Sequence, residues 1–138
     1  MPVTDATAPN PPINVPWPTE LRVHKDHGTL TVSFEDGASF ALPAEYLRVE
    51  SPSAEVQGHS PADRRLVDGK REVRIQEVLP VGHYAVRILF DDGHSTGIYS
   101  WETLHTLGRE QAERWKSYLQ QLAAKNLSRD APGSLRRH

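Results

Sequence analysis

The 138-residue sequence predicts an α+β domain: a small, mostly antiparallel sheet of about six strands with a short internal helix and a C-terminal helical segment. Three observations predict it. From Thr19 to Tyr99, apolar and polar residues tend to alternate, the period of half-buried strands. Asp36-Gly37 and Asp92-Gly93 punctuate that stretch as hairpin turns. Beyond Ser100 the apolar spacing changes to that of a helix face.

Residues 1–18 hold six of the eleven prolines and little apolar mass, so they read as an extended, disordered leader. Pro16-Trp17-Pro18 is where it would dock, with Trp17 over an edge of the fold. Leu21 and Val23 open a first strand, and Lys25 to Gly28 turn the chain. Leu30, Val32 and Phe34 alternate with Thr29, Thr31 and Ser33 in a second strand. Ser39 to Leu42 make a third, with Phe40 and Leu42 inward. Pro43 ends it and starts a helical turn over residues 44–49, with Tyr46, Leu47 and Val49 facing the core. Residues 50–69 have no period and read as a long loop with His59 in its middle.

Lys70 to Leu79 resume the strand pattern, with Val73, Ile75 and Leu79 inward, and Pro80 to His83 turn. Tyr84 to Phe90 is apolar on both faces, with Tyr84, Val86, Ile88 and Phe90 on one and Arg87 as the exception, which marks a central strand. Asp91 to His94 turn the chain into a short return strand, Thr96 to Tyr99. Gly97 within it signals a close backbone approach. Ser100 caps a helix that lays Trp101, Leu104 and Leu107 on the sheet and ends at Gly108. A second helix runs from about Arg109 to Leu127 on a stripe of Ala112, Trp115, Leu119, Leu122 and Ala123. The expected division is a leader at 1–18, the domain at 19–108, a helix at 109–128 and a basic tail at 129–138. Phe34-Glu35-Asp36-Gly37 and Phe90-Asp91-Asp92-Gly93 echo each other as shared turn chemistry, not as a repeat.

A formal net charge of -2 argues against general nucleic-acid binding. Residues 109–138 carry seven basic and three acidic side chains, which reads as a solvated helix face and tail. The chain has no cysteine, which excludes disulfides, thiolate nucleophiles and cysteine-ligated metal. No apolar run approaches the ~20 residues of a membrane span, and the first 18 residues lack a signal peptide's regions. The expected location is the cytoplasm.

Few residues suggest chemistry. His94 sits in a turn beside Asp91 and Asp92, where a carboxylate orients an imidazole for metal binding. The plainer reading is a histidine that stabilises its own turn. His59 and His83 are the other candidates for a zinc or iron site, if the fold brings them together. His24, His27 and His105 read as solvated. Arg64, Arg65, Lys70 and Arg71 are interleaved with carboxylates and read as surface. Tyr99 and Trp101 suit either core packing or stacking on a ligand. No serine has a visible base partner, and no nucleotide-binding or hydrolase motif is present.

Three segments carry a resemblance. They are Leu47-Arg48-Val49-Glu50-Ser51-Pro52-Ser53-Ala54-Glu55-Val56-Gln57-Gly58-His59, Pro80-Val81-Gly82-His83-Tyr84-Ala85-Val86-Arg87-Ile88, and Phe90-Asp91-Asp92-Gly93-His94-Ser95-Thr96-Gly97-Ile98-Tyr99-Ser100-Trp101. From Thr19 to Gly108 the chain resembles stand-alone bacterial proteins of the gamma-butyrobetaine hydroxylase-like N-terminal domain family, long classed as a domain of unknown function. In the hydroxylases of that resemblance, the domain precedes an oxygenase that uses iron and 2-oxoglutarate. There it binds a structural zinc and assists dimerisation. A similar domain follows an iron–sulfur carrier in plastids. The hydroxylase zinc pattern, Leu-Arg-x-x-Cys-x-Cys-x-x-Cys plus a histidine in the Asp-Gly-His turn, maps here onto Leu47, Arg48, Ser51, Ser53, Val56 and His94. Three of the four ligands are therefore replaced.

The resemblance implies that the loop after Leu47 lies against the His94 turn. It leads to a non-catalytic binding or scaffold module whose partner belongs to oxygenase or iron–sulfur machinery, with no membrane or nucleic acid and with a homodimer left open. A polar cluster of His94, His59, Glu55, Ser51 and Ser53 is expected in place of the metal. Tyr99, Trp101 and Arg48 are candidates for a ligand or partner surface. Two alternatives stay open: a zinc or iron protein using His94, His59 and Glu55, and an unrecognised enzyme.

Overall fold

Six strands form two three-stranded antiparallel sheets in the computed structural model, which describes residues 16–57 and 66–130, with the backbone alone at Ala54 and Glu55. The first sheet is a meander of β1 (Pro18–Val23), β2 (Thr29–Phe34) and β3 (Ser39–Pro43). The second is a meander of β4 (Ile75–Val81), β5 (Ala85–Phe90) and β6 (Ile98–Ser100). Among the described residues there are four helices: α1 (Ala44–Val49), α2 (Ala54–Gln57), α3 (Trp101–Arg109) and α4 (Gln111–Ala124). Residues 1–15 of the expected leader, residues 131–138 of the expected tail, His59, Arg64 and Arg65 lie outside the described residues.

The alternation in β2 has the consequence expected of it. Leu30, Val32 and Phe34 are buried, and their neighbours face outward. Val86, Ile88 and Phe90 answer from β5, with Tyr99 from β6. Tyr46 and Leu47 of α1 and Trp101, Leu104 and Leu107 of α3 join the same core. Each such side chain contributes about 1.5–3 kcal/mol on burial. The two sheets are also stitched by polar contacts. Ile75 N–H donates to the His27 carbonyl and His27 Nδ1 meets the Ile75 carbonyl, both at 2.8 Å. His27 is therefore a sheet-to-sheet link and not a solvated turn residue. Its φ of +61° is the left-handed conformation that makes this return contact.

Helix boundaries follow local chemistry. Pro43 precedes α1 in extended conformation. Ser100 caps α3 by accepting Thr103 N–H at 3.1 Å. Gly108 does not end α3; it lies inside the helix because the Phe40 ring presses on it. A Cβ there would stand 2.2 Å from that ring. On α4 the buried side chains are Tyr118 and Leu122, with Trp115 half-buried, while Leu119 is exposed. The stripe is thus turned by one residue from the expected one. Tyr118 fits because its hydroxyl donates to the Val67 carbonyl at 2.7 Å, which leaves only its ring to bury.

Three further expectations are corrected. Pro80 and Val81 belong to β4, an edge strand where a missing N–H is tolerated. Leu79 pairs with exposed Arg87 and so faces outward, and Tyr84 sits in the turn, exposed, rather than on the core face of β5. Residues 128–130 do not fray. Gly69 and Arg71 N–H groups donate to the carbonyls of Ser128 and Arg129, both at 2.9 Å. Arg129 then reaches buried Glu45 with two hydrogen bonds of 2.7 and 2.9 Å and stacks over the Trp115 ring.

Candidate functional site

The His94 turn is built by its own sequence. Phe90 N–H donates to the His94 carbonyl at 2.9 Å and Gly93 N–H to the Phe90 carbonyl at 3.1 Å. Gly93 adopts φ +93°, which a side chain would resist. Asp92 Oδ1 accepts the His94 N–H at 3.0 Å. The β2–β3 turn repeats this design, with Gly37 at φ +88° and Asp36 Oδ1 accepting Ala38 N–H at 2.9 Å. The sequence echo is therefore an echo of turn chemistry. What differs is the next side chain: Ala38 in one turn, and His94, 7% exposed, in the other.

The segment after α1 meets that imidazole. Ser51 is fully buried, and its Oγ lies 3.0 Å from His94 Nε2. The same Oγ accepts Ser53 N–H at 3.2 Å, and Gln57 Nε2 donates to the Ser51 carbonyl at 2.7 Å. Ser53 Oγ pairs with Thr96 Oγ1 at 2.7 Å. Tyr99 donates its hydroxyl to the Leu47 carbonyl at 2.5 Å. Burial pushes that phenol's pKa up, and a hydrogen bond with Ser51 works against the rise. Gly97 closes the cluster, since a Cβ there would stand 2.6 Å from Ser51 Oγ. The close approach read from Gly97 is thus real, although the residue precedes β6.

This geometry restricts the chemistry. A serine–histidine pair can act as nucleophile and base, but only with an accessible hydroxyl whose proton is directed at the imidazole. Ser51 is sealed. Its Oγ shares a hydrogen bond with His94 Nε2, with the donor set by the histidine tautomer, and also accepts Ser53 N–H. The donor set does not fit the zinc that the resemblance implies either. Ser51 and Ser53 offer neutral hydroxyls already engaged with His94 and Thr96, and Val56 offers no donor. Among the described residues no group of three or more His, Asp or Glu side chains is placed to hold a metal ion.

Beside the cluster lies a charged one. Arg48 Nε and Lys70 Nζ reach the same oxygen, Asp92 Oδ2, at 2.8 and 2.6 Å. Burial alone would raise the Asp92 carboxyl. Lys70, the His94 amide and Arg48 outweigh that and bring its pKa to about 2. Arg48 and Lys70 border a cavity of about 270 Å3 that His94 also lines. A larger groove, about 500 Å3, runs between α3 and α4 and is lined by hydroxyl and amide side chains together with Glu50 and Arg114.

Of the sequence candidates, the fold joins Ser51, Ser53 and His94 and sets Arg48 next to them. Glu55 falls on α2 with its side chain outside the described set, and His59 lies outside it altogether. Tyr99 and Trp101 are core residues rather than a ligand or partner surface. Tyr99 is 0% exposed, and Trp101 sits under Trp17 with its Nε1 on the His83 carbonyl. His83 lies in the β4–β5 turn, at the other end of β5 from the His94 turn, and its carbonyl accepts the Trp101 Nε1–H. His105, expected in solvent, packs against Phe34 and Phe40 and bonds Asp36 and Arg109. Sequence reasoning missed Lys70 as a neighbour of the cluster and Thr96 as the partner of Ser53. No local spacing announces them, because they meet only through the fold.

A buried hydrogen-bonded cluster between a helix end and a hairpin turn defines a class of small two-sheet domains with an interior polar site. The chain belongs to the family described as gamma-butyrobetaine hydroxylase-like, N-terminal, whose model matches residues 21–105. It is similar to two proteins solved in solution by NMR. One is 40% identical with a TM-score of 0.76, covering 91% of this chain and 98% of that one. The other is 41% identical with a TM-score of 0.74, covering 94% and 98%. A crystal structure of a protein of unknown function from Acidithiobacillus ferrooxidans, in the DUF971 family, is 42% identical with a TM-score of 0.56, covering 66% of this chain and 91% of that one. No curated protein matches the chain. Among the described residues, no helix is long and apolar enough to cross a membrane.

Proposed function

We propose that the chain is a non-catalytic binding module that works in the cytoplasm through a protein partner. The observation that carries this is the Ser51–His94 contact of 3.0 Å inside a sealed cluster. It engages His94 in holding the loop after α1 against the β5–β6 turn. The polar cluster then does structurally what a bound metal does elsewhere. The family description, an N-terminal region of hydroxylase-like proteins, supports a partner in hydroxylase machinery; an iron–sulfur partner rests on the sequence resemblance alone.

Two measurements test this reading. Capture of the tagged full chain from its native cells should enrich such a partner, and a repeated absence of any enriched protein counts against it. Elemental analysis of untagged protein should find zinc and iron well below stoichiometry. Near-stoichiometric metal that disappears in His94→Ala would replace this reading with the metal-binding one.

A further inference from the structure

The cavity beside His94 carries charge that the buried cluster does not use. Arg48, Lys70, Asp68 and His94 give it polar walls, and Val56 and Leu66 give it an apolar side. One carboxylate, Asp92, answers two cations, since Arg48 and Lys70 converge on a single oxygen. The Asp92 second oxygen is occupied by the His94 amide. Arg48 Nη1 is buried and has no hydrogen-bond partner. A guanidinium N–H stripped of water without gaining an acceptor is rare in native proteins and calls for one.

We infer that this cavity binds a small oxyanion, a carboxylate or inorganic phosphate, between Arg48 and Lys70. The guanidinium spends Nε on Asp92 and keeps its terminal nitrogens for a second acceptor. The ammonium group has three donors and can serve Asp92 and a ligand together. Asp92 and Asp68 together balance the two cations, so an anion is held by the free donors of Arg48 and Lys70 and not by a net positive field, which disfavours a polyanion. A volume of about 270 Å3 holds an acetate or phosphate ion together with several waters. A carboxylate would rest its carbon end on Val56 and Leu66, whereas phosphate has no use for that side. This inference stands on Arg48 and Lys70 and is separate from the partner reading, which the capture experiment tests without reference to the cavity.

The test is an NMR titration of the isotope-labelled full chain, with inorganic phosphate and with acetate in separate series at constant ionic strength. Saturable shifts centred on the amides of Arg48, Val56, Lys70 and His94 are expected. Saturation by phosphate alone, by acetate alone or by both supports the site and names its preferred source. Lys70→Met should weaken binding about tenfold, while Arg87→Gln on the outer face of the second sheet leaves it unchanged. If Lys70→Met alters the whole spectrum, Lys70→Gln, which keeps a donor, carries the comparison. Shifts that stay linear in both series, or that neither Lys70 variant weakens, overturn the inference.

Discussion

Ser51 Oγ and His94 Nε2 meet at 3.0 Å across 43 residues of chain, in a place closed to solvent. The contact joins the end of α1 to the turn that leads into β6. Each partner is held by independent means: His94 by the Asp92 turn, and Ser51 by Ser53 N–H and by the crowding of Gly97. Two preformed pieces of backbone therefore place the pair, so little entropy is lost in making it. Removal of either side chain would leave a buried polar group without its partner, which costs about 1–3 kcal/mol.

Gly97→Ala tests how tightly that junction is packed. The added methyl would stand 2.6 Å from Ser51 Oγ and 3.1 Å from the Tyr99 ring. Neither can retreat easily, since Ser51 and Tyr99 are both fully buried. The variant should lose about 1–3 kcal/mol in urea unfolding. A loss below about 0.5 kcal/mol, the range of an ordinary surface change, would mean that the cluster is looser than described.

Arg129→Ala tests the C-terminal clasp. Glu45 keeps only 7% of its side chain exposed, and Arg129 is its bidentate partner. Hydrogen bonding by Glu45 holds the Arg129 guanidinium above its ordinary pKa. Loss of Arg129 leaves a carboxylate buried without its counter-ion and uncovers Trp115. The expected loss is about 2–3 kcal/mol, below the figure for a fully buried pair because Arg129 is partly solvated. Glu45→Gln should cost less than Arg129→Ala, because it removes the buried charge instead of stranding it. Equal losses in the two variants would contradict the charge argument.

The Asp92 carboxyl gives an acid dependence with a definite sign. Its folded pKa, about 2, lies below the ordinary aspartate value of about 3.9. The ionised form is therefore favoured by folding. The stabilisation is complete above the unfolded pKa and is lost as pH falls from there towards 2. After allowance for solvent screening it is worth about 1–2 kcal/mol. Asp92→Asn should be less stable than the parent at neutral pH, and the gap should narrow between about pH 4 and pH 2. A gap independent of pH in that window would assign the effect to the turn hydrogen bond and not to charge.

Much of the fold was legible because local chemistry and tertiary packing agree. Leu30, Val32 and Phe34 alternate and are buried; Pro43 and Ser100 open helices where their backbone preferences say they should. The failures have physical causes. On α4 both Leu119 and Tyr118 fit a helical stripe with Trp115, and only the acceptor at Val67 favours the tyrosine. Gly108 looked like a helix end, but it is small because Phe40 packs on it. Glu45 and Arg129 are 84 residues apart, so no spacing rule connects them. At the site, periodicity yielded only a histidine in a turn. Asp92 stood beside it in the turn, the family resemblance brought Ser51 and Ser53 to it, and the fold alone added Lys70.

The last prediction uses the loop positions where the resemblance sets thiolates. Ser51 already contacts His94, Ser53 bonds Thr96 two residues beyond it, and Val56 lines the same cavity as His94. The three positions surround one imidazole without a suitable donor set. Ser51→Cys, Ser53→Cys and Val56→Cys together would supply three thiolates and leave His94 as the fourth, nitrogen ligand, the tetrahedral composition that zinc prefers. The triple variant should bind zinc near stoichiometry, with thiolate-to-metal absorption after cobalt substitution, and should gain thermal stability when loaded. The same variant carrying His94→Ala should lose affinity. A triple variant that folds but binds no more zinc than the parent would mean that these side chains do not converge, and the placement of the loop against the turn would be wrong.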